Sequence, residues 1–213
     1  MDFGGYGTET GSVTAWEPHR RFVYATGGER PLAYEWLVEA RDGGRCTVRL
    51  VNSGFGAGEE WDGDFDGMSG GWRIFLESLR LHLAHFRGRQ ARATVPTVVL
   101  AGPNQRAWAS LCTALGIAED LTPGQRLVTR GDAPPLSATV VRADRSATTS
   151  VVHVLLDGEQ GKGFIAAEGG GDQVACSLYL YRYDEPSGPA DPWTPWLTDR
   201  FPPMDAPLPG SSA

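Results

Sequence analysis

The 213-residue sequence predicts an α+β protein: an antiparallel sheet packed on a long helix, followed by a second, diverged α+β segment of similar layout. Three observations predict it. Residues 12–53 alternate apolar and polar side chains with period two, as an antiparallel sheet with one buried face requires. Residues 67–86 switch to spacings of three and four, the period of an amphipathic helix. After a basic stretch at 87–94, the order strand, helix, several strands and a short terminal helix begins.

The first four strands are SVTAWEP (12–18), RRFVYAT (20–26), LAYEWLVEA (32–40) and RCTVRLVNS (45–53). They are rich in β-branched and aromatic residues and separated by Pro18–His19, GGERP and RDGG turns. In the third, Tyr34, Trp36 and Val38 share one face; in the fourth, Cys46, Val48 and Leu50 do. Residues 54–66, rich in Gly and acids, read as a loop. The helix that follows carries Met68, Trp72, Phe75, Leu76, Leu79, Leu83 and Phe86 on one stripe, whose natural partner is the preceding sheet. Ile74 and Leu81 lie nearly opposite, so a second element, from later residues or from a homodimer partner, is expected to cover that back face.

Residues 1–88 therefore form a first domain, 89–94 a linker, 95–202 a second domain, and 203–213 a Pro-, Gly- and Ser-rich tail expected to be disordered. In the second domain PTVVLAG (96–102) reads as a strand and 104–117 as a helix, with Asn104 as N-cap and Gly116 as stop. Strands are expected at 125–129, 136–143, 149–156, 162–167 and 174–183, divided by turns such as DRSAT and EGGGD, and a last helical turn at 192–201.

The balance of charges excludes some functions. The formal net charge is -7, which argues against nucleic-acid binding and against anionic membranes, since both need clustered Lys and Arg. No stretch approaches the roughly 18 apolar residues of a membrane span, and residues 1–12 lack the features of a signal peptide. Cys46, Cys112 and Cys176 are scattered and odd in number, which fits a reducing, cytoplasmic setting rather than a disulfide framework or a thiolate metal site.

A search for chemistry returns little. His82 and His85 stand three apart on the helix, with no HExxH and no further ligands, and His19 and His153 lie elsewhere; packing explains them better than metal. GGYGTETG (4–11) and GFGAG (54–58) lack the strand-to-helix setting and the Lys of a phosphate loop. Asp62, Asp64 and Asp66 have calcium-like spacing, but Arg73 stands where the closing Glu of a calcium loop belongs, so the acids suit the helix N-terminus instead. No GxSxG elbow is present. No metal and no cofactor is implied.

The runs VTAWEPHRRFVY, LAYEWLVEA, TVRLVNSGFG and EEWDGDFDGMSGGWRIFLESLRLHLAHF resemble bacterial proteins of the SRPBCC superfamily. The branch is the START-like, YndB-like one named for the C-terminal domain of the activator of Hsp90 ATPase. The pattern of Gly71–Trp72 followed by Leu76, Leu79 and Leu83 carries the likeness, which spans roughly residues 6–88. The resemblance implies a helix-grip fold, a curved antiparallel sheet around a long helix with an apolar cavity between them. This sequence departs from it in lacking the usual first strand and two short helices, so an upstream start or an open cavity wall is expected.

On that basis the cavity candidates are Trp16, Tyr24, Tyr34, Trp36, Val48, Trp72, Phe75, Leu76 and Leu79, with core filling as the alternative role. The expected function is non-catalytic binding of a small apolar molecule. A chaperone-associated interaction module is the first alternative. A cyclase- or hydrolase-like enzyme comes last, because the sequence singles out no polar group inside the cavity.

Overall fold

A computed structural model describes residues 10–28, 31–56, 59–184 and 191–202, without the side chains of 59–67 and 159. The fold is α+β, with two antiparallel sheets and three helices among these residues. Two compact units divide it, Met1–Phe65 and Asp66–Ala206. The division falls within the long helix, whereas the sequence placed a linker at 89–94. The GGYGTETG segment up to residue 9 and the 203–213 tail lie outside the described residues.

The first unit holds a meander of β1 (Gly11–Glu17), β2 (Arg21–Thr26), β3 (Ala33–Arg41) and β4 (Arg45–Ser53), paired antiparallel in sequence order. His19, at φ 64°, turns the chain between β1 and β2. The register sets Trp16 opposite Phe22, Phe22 opposite Trp36, and Trp36 opposite Leu50. Strand alternation then gathers Trp16, Phe22, Tyr24, Tyr34, Trp36, Val48 and Leu50 on one face. The other face carries the Arg21 Nε to Glu35 Oε1 ion pair at 2.6 Å.

Helix α1 runs Glu59–His85, 27 residues, so it begins eight residues before the start read from the sequence. The stretch EEWDGDFDG looked like a loop because Gly and Asp are poor helix formers. Its acids sit in the first turns, where the helix dipole favours negative charge. Asp62, Asp64 and Asp66 accordingly lie on helical backbone rather than in a loop, and their side chains are outside the described residues. Among the described residues no helix is long and apolar enough to cross a membrane.

In the second unit β5 (Ala91–Thr94) and β6 (Thr97–Ala101) both pair with β11 (Gln173–Tyr183). Residues 91–94, read as linker, are thus an edge strand, separated from β6 by Val95–Pro96, where proline interrupts the ladder. The sheet continues from β11 through β10 (Gly161–Glu168), β9 (Thr149–Leu156) and β8 (Ser137–Arg145) to β7 (Arg126–Val128), every pair antiparallel.

Both faces of this sheet are covered. Val140, Val152, Val154, Ile165, Val174, Cys176 and Leu178 point to a core closed by Ala107, Trp108, Leu111 and Leu115 of α2 (Asn104–Leu115) and by Trp193 and Leu197 of α3 (Trp193–Arg200). The alternate residues Val151, Phe164 and Ala166 face Ile74 of α1. Double coverage explains why TSVVHVLL and KGFIAA read as nearly continuous apolar runs.

Helix α2 corrects one detail. Its N-cap is Pro103, and Asn104 is the first helical residue, with no capping bond. The Asn104 side chain turns inward instead: its Nδ2 donates to the Ala167 carbonyl at 2.8 Å, and its Oδ1 accepts from Ser150 Oγ at 2.8 Å. It pins the helix to β9 and β10, which a capping role would not do. Gly116 stops the helix in the left-handed region at φ 66°.

Candidate functional site

The nine cavity candidates divide between the two units. Trp16, Tyr24, Tyr34, Trp36 and Val48 share the aromatic face of the meander. There Trp16 meets Phe22 edge-on at 5.7 Å, Tyr24 lies 6.4 Å from Tyr34, and Trp16 is 67% exposed. Trp72, Phe75, Leu76 and Leu79 stand on the second unit's part of α1. Phe75 packs edge-on against Phe164 at 5.6 Å and Tyr179 at 5.3 Å, so it extends an aromatic cluster on the second sheet.

The chemically richest place is the layer between α1 and that sheet. Ile74 and Leu81 are buried there, at 3% and 1% exposure. Between them Ser78 Oγ accepts a hydrogen bond from the Lys162 ammonium, which also lies 4.0 Å from the centre of the Tyr181 ring. Toward the helix C-terminus, His82 Nδ1 and Tyr183 Oη are 2.8 Å apart, and Phe86 stacks flat on Tyr183 at 4.2 Å. These contacts occupy His82; His85 is exposed.

A β-bulge shapes the outer part of this layer. The β8–β9 register shifts between Val140 and Arg142. The extra residue turns Arg142 and Asp144 onto the α1 side, whereas Val140 before it faces the opposite core. Arg142 then stands opposite His153, His153 opposite Phe164, and Phe164 opposite Tyr179. The rings of this row touch, His153 to Phe164 at 5.3 Å and Phe164 to Tyr179 at 4.3 Å, the latter stacked.

Beside the row lies an open cleft of about 400 Å³, walled by Ser69, Arg73 and Ile74 of α1 and by Arg142, Asp144, Thr149, Val151 and His153 of the sheet. The Ser146–Thr148 turn forms its rim. Arg142 pairs with Asp144 at 2.6 Å and reaches Glu77 at 3.9 Å; Glu77 itself is held by Arg80 at 2.7 Å. Arg145 is a structural tie: it donates to the carbonyls of Val151 and Glu119 and lies over the Trp108 ring at 4.7 Å.

Burial dominates the electrostatics. His153 is 1% exposed, its Nδ1 has no hydrogen-bond partner among the described residues, and desolvation pulls its pKa down to about 4, against the pull of Glu77 and Asp144. It is a neutral imidazole near pH 7. Lys162, 3% exposed, is lowered to about 8 by desolvation. Its described neighbours include no ion-pairing carboxylate. Burial also raises the Glu168 carboxyl and pushes the Cys112 and Cys176 thiols up to about 12, which makes both cysteines inert. Sequence reasoning weighed His153 only as a metal ligand and passed over Lys162. The available signal was a polar residue inside each of two apolar strands, VVHVLL and GKGFIAA.

No family model matches the chain, and no curated protein matches it. Among solved structures it is similar to the crystal structure of DynU16, a protein in the dynemicin biosynthetic locus. That likeness has 15% identity and a TM-score of 0.33, over 89% of this chain and 72% of the other. It is also similar to the crystal structure of the di-domain ARO/CYC BexL from the BE-7585A biosynthetic pathway, at 14% identity and a TM-score of 0.32, over 83% of this chain and 66% of the other.

Proposed function

We propose that this protein binds a small organic molecule in the cleft between α1 and strands β8 and β9 of its second unit. One observation carries the proposal: an open cleft of small-molecule size is walled by a buried, neutral histidine whose Nδ1 is unsatisfied. Pockets for small ligands measure roughly 300–1,000 Å³ and combine apolar walls with a few polar groups. Here Ile74 and Val151 supply the apolar wall, and His153, Thr149 and Arg73 supply the polar groups. A buried polar atom without a partner costs stability, and a ligand or a water that satisfies it recovers that cost.

An antiparallel sheet holding helices against its faces is also the basis for extending the proposal to a helix-grip relationship. Within it, the meander's aromatic face, with Trp16 largely exposed, is the second place for an apolar ligand. An enzyme is the second reading of the cleft, favoured by the imidazole in its wall; with a pKa of about 4 that ring is a weak base near pH 7 and would serve as a hydrogen-bonding group rather than as the proton acceptor.

The test is thermal shift with a chemically diverse fragment set on the wild type, on Thr148→Trp and on Trp16→Ser. Ligands that bind only the native state raise the melting temperature. Stabilisation lost in Thr148→Trp and kept in Trp16→Ser supports the cleft. The opposite pattern moves the site to the meander, and no stabilisation by any fragment removes the proposal. Turnover abolished in His153→Leu with binding unchanged would favour the enzyme.

A further inference from the structure

We infer that the cleft selects an organic carboxylic acid, with its carboxylate at Arg73 and its body against Ile74 and Val151. This rests on the binding role proposed above and adds the chemical class. The charge of the walls points to an anion. Among the described residues three arginines, Arg73, Arg142 and Arg145, line the cleft with one acid, Asp144, and Glu77 stands beside it, held by Arg80, in a chain whose formal net charge is -7. Asp144 is already neutralised, since Arg142 Nε and Nη2 hold its two oxygens at 2.6 and 3.0 Å.

The three arginines are not equivalent. Arg142 is committed to Asp144 and Glu77, and Arg145 to backbone carbonyls and the Trp108 face. Arg73 is exposed on α1 and has no ion-pair or hydrogen-bond partner among the described residues. Its planar fork is therefore open for two parallel bonds to a carboxylate. Arg142 is balanced by Asp144, so Arg145, held only by carbonyls and the Trp108 ring, is the committed arginine that adds a positive field without competing for the ligand oxygens.

Deeper in, Ile74 and Val151 offer an apolar surface, and His153 Nδ1 is buried and unpartnered. A hydroxyl suits a neutral imidazole nitrogen there in either tautomer, accepting from its N–H or donating to its lone pair. The ligand class that meets all of these groups is a small carboxylic acid with an apolar body bearing a hydroxyl.

The experiment titrates the full chain with 6-hydroxy-2-naphthoate and with its neutral amide, followed by the methyl resonances of Ile74 and Val151. Wild type, Arg73→Gln and Arg73→Glu are compared; Arg73 is exposed, so folding is preserved. The expected result is about a tenfold or greater preference for the acid, the size of one charge-assisted pair. That preference should vanish in Arg73→Gln and reverse in Arg73→Glu. Acid and amide binding equally at these methyls would overturn the anion assignment and leave small-molecule binding standing. An acid preference untouched by the Arg73 variants would overturn it as well. Neither probe moving these methyls would remove both the inference and the binding site beneath it.

Discussion

Arg142 stands directly across the β8–β9 ladder from His153, and it does so because a bulge in β8 turns it to the side that α1 covers. Without that extra residue the alternation of β8 would send Arg142 into the apolar core with Val140. The bulge therefore brings a guanidinium, two carboxylates and a neutral imidazole together at one edge of the layer between α1 and the second sheet. The predictions below follow from that layer.

The face of α1 that seats on the second sheet should be sensitive to truncation. Ile74→Ala removes a buried side chain packed on Val151, Phe164 and Ala166, and should cost about 2–4 kcal/mol in urea unfolding. Leu83→Ala, at an exposed position of the same helix, should cost under about 1 kcal/mol. Equal costs at the two positions would contradict the seating.

His153 should make the fold acid-sensitive. Its native pKa of about 4 lies below the usual value of 6.5, so the unfolded chain takes up the proton first. Its contribution is complete above about pH 6.5 and is lost as pH falls toward 4, amounting to about 3 kcal/mol. Glu77, Asp144, Arg142 and Lys162 surround the ring and are present in both proteins compared. Stability measured from pH 7 to 4 should therefore fall less steeply in His153→Leu than in the wild type. Parallel curves would show that the ring is not buried as described.

Lys162 should be a net liability near neutrality. Its pKa, lowered to about 8, means that the buried ammonium costs stability below that pH and that the cost is relieved as pH rises toward 10.5. Lys162→Met keeps the stem and removes the charge, so it should stabilise the protein at pH 7 by about 1–3 kcal/mol. Ser78 and Tyr181 still interact with each other after the change. A melting temperature lowered by this substitution would mean that the Ser78 hydrogen bond and the Tyr181 ring outweigh the cost of burying the ammonium.

Gly116 should not tolerate a side chain. At φ 66° an added Cβ would also lie 2.7 Å from Arg130 Cβ. Gly116→Ala should cost about 1–3 kcal/mol by chemical denaturation, and a neutral result would refute the left-handed stop.

Much of the fold is legible in the sequence because local pattern and local structure agree. Tyr34, Trp36 and Val38 alternate with Glu35, Leu37 and Glu39, and β3 follows. TSVVHVLL matches β9 residue for residue, and Gly116 ends α2 where its conformation permits. The start of α1 was missed because Gly63, Gly67 and the acids around them look like solvent-exposed loop. Asn104 resembles a cap by type and position, yet its amide is drawn inward by Ala167 and Ser150, residues 63 and 46 positions away. The candidate site was less legible. The aromatic meander residues announce themselves by size and period. The role of His153 depends on a bulge in another strand and on a helix from the other side of the sheet, and neither is encoded near residue 153.

The most direct measurement is the nitrogen spectrum of the His153 imidazole, recorded across pH with and without a stabilising fragment. A buried, neutral wall of a ligand cleft predicts that the ring stays unprotonated down to about pH 4 and that the Nδ1 resonance moves when ligand is added. A ring that titrates at the ordinary histidine value of about 6.5, with an Nδ1 resonance indifferent to every stabilising ligand, would contradict the account.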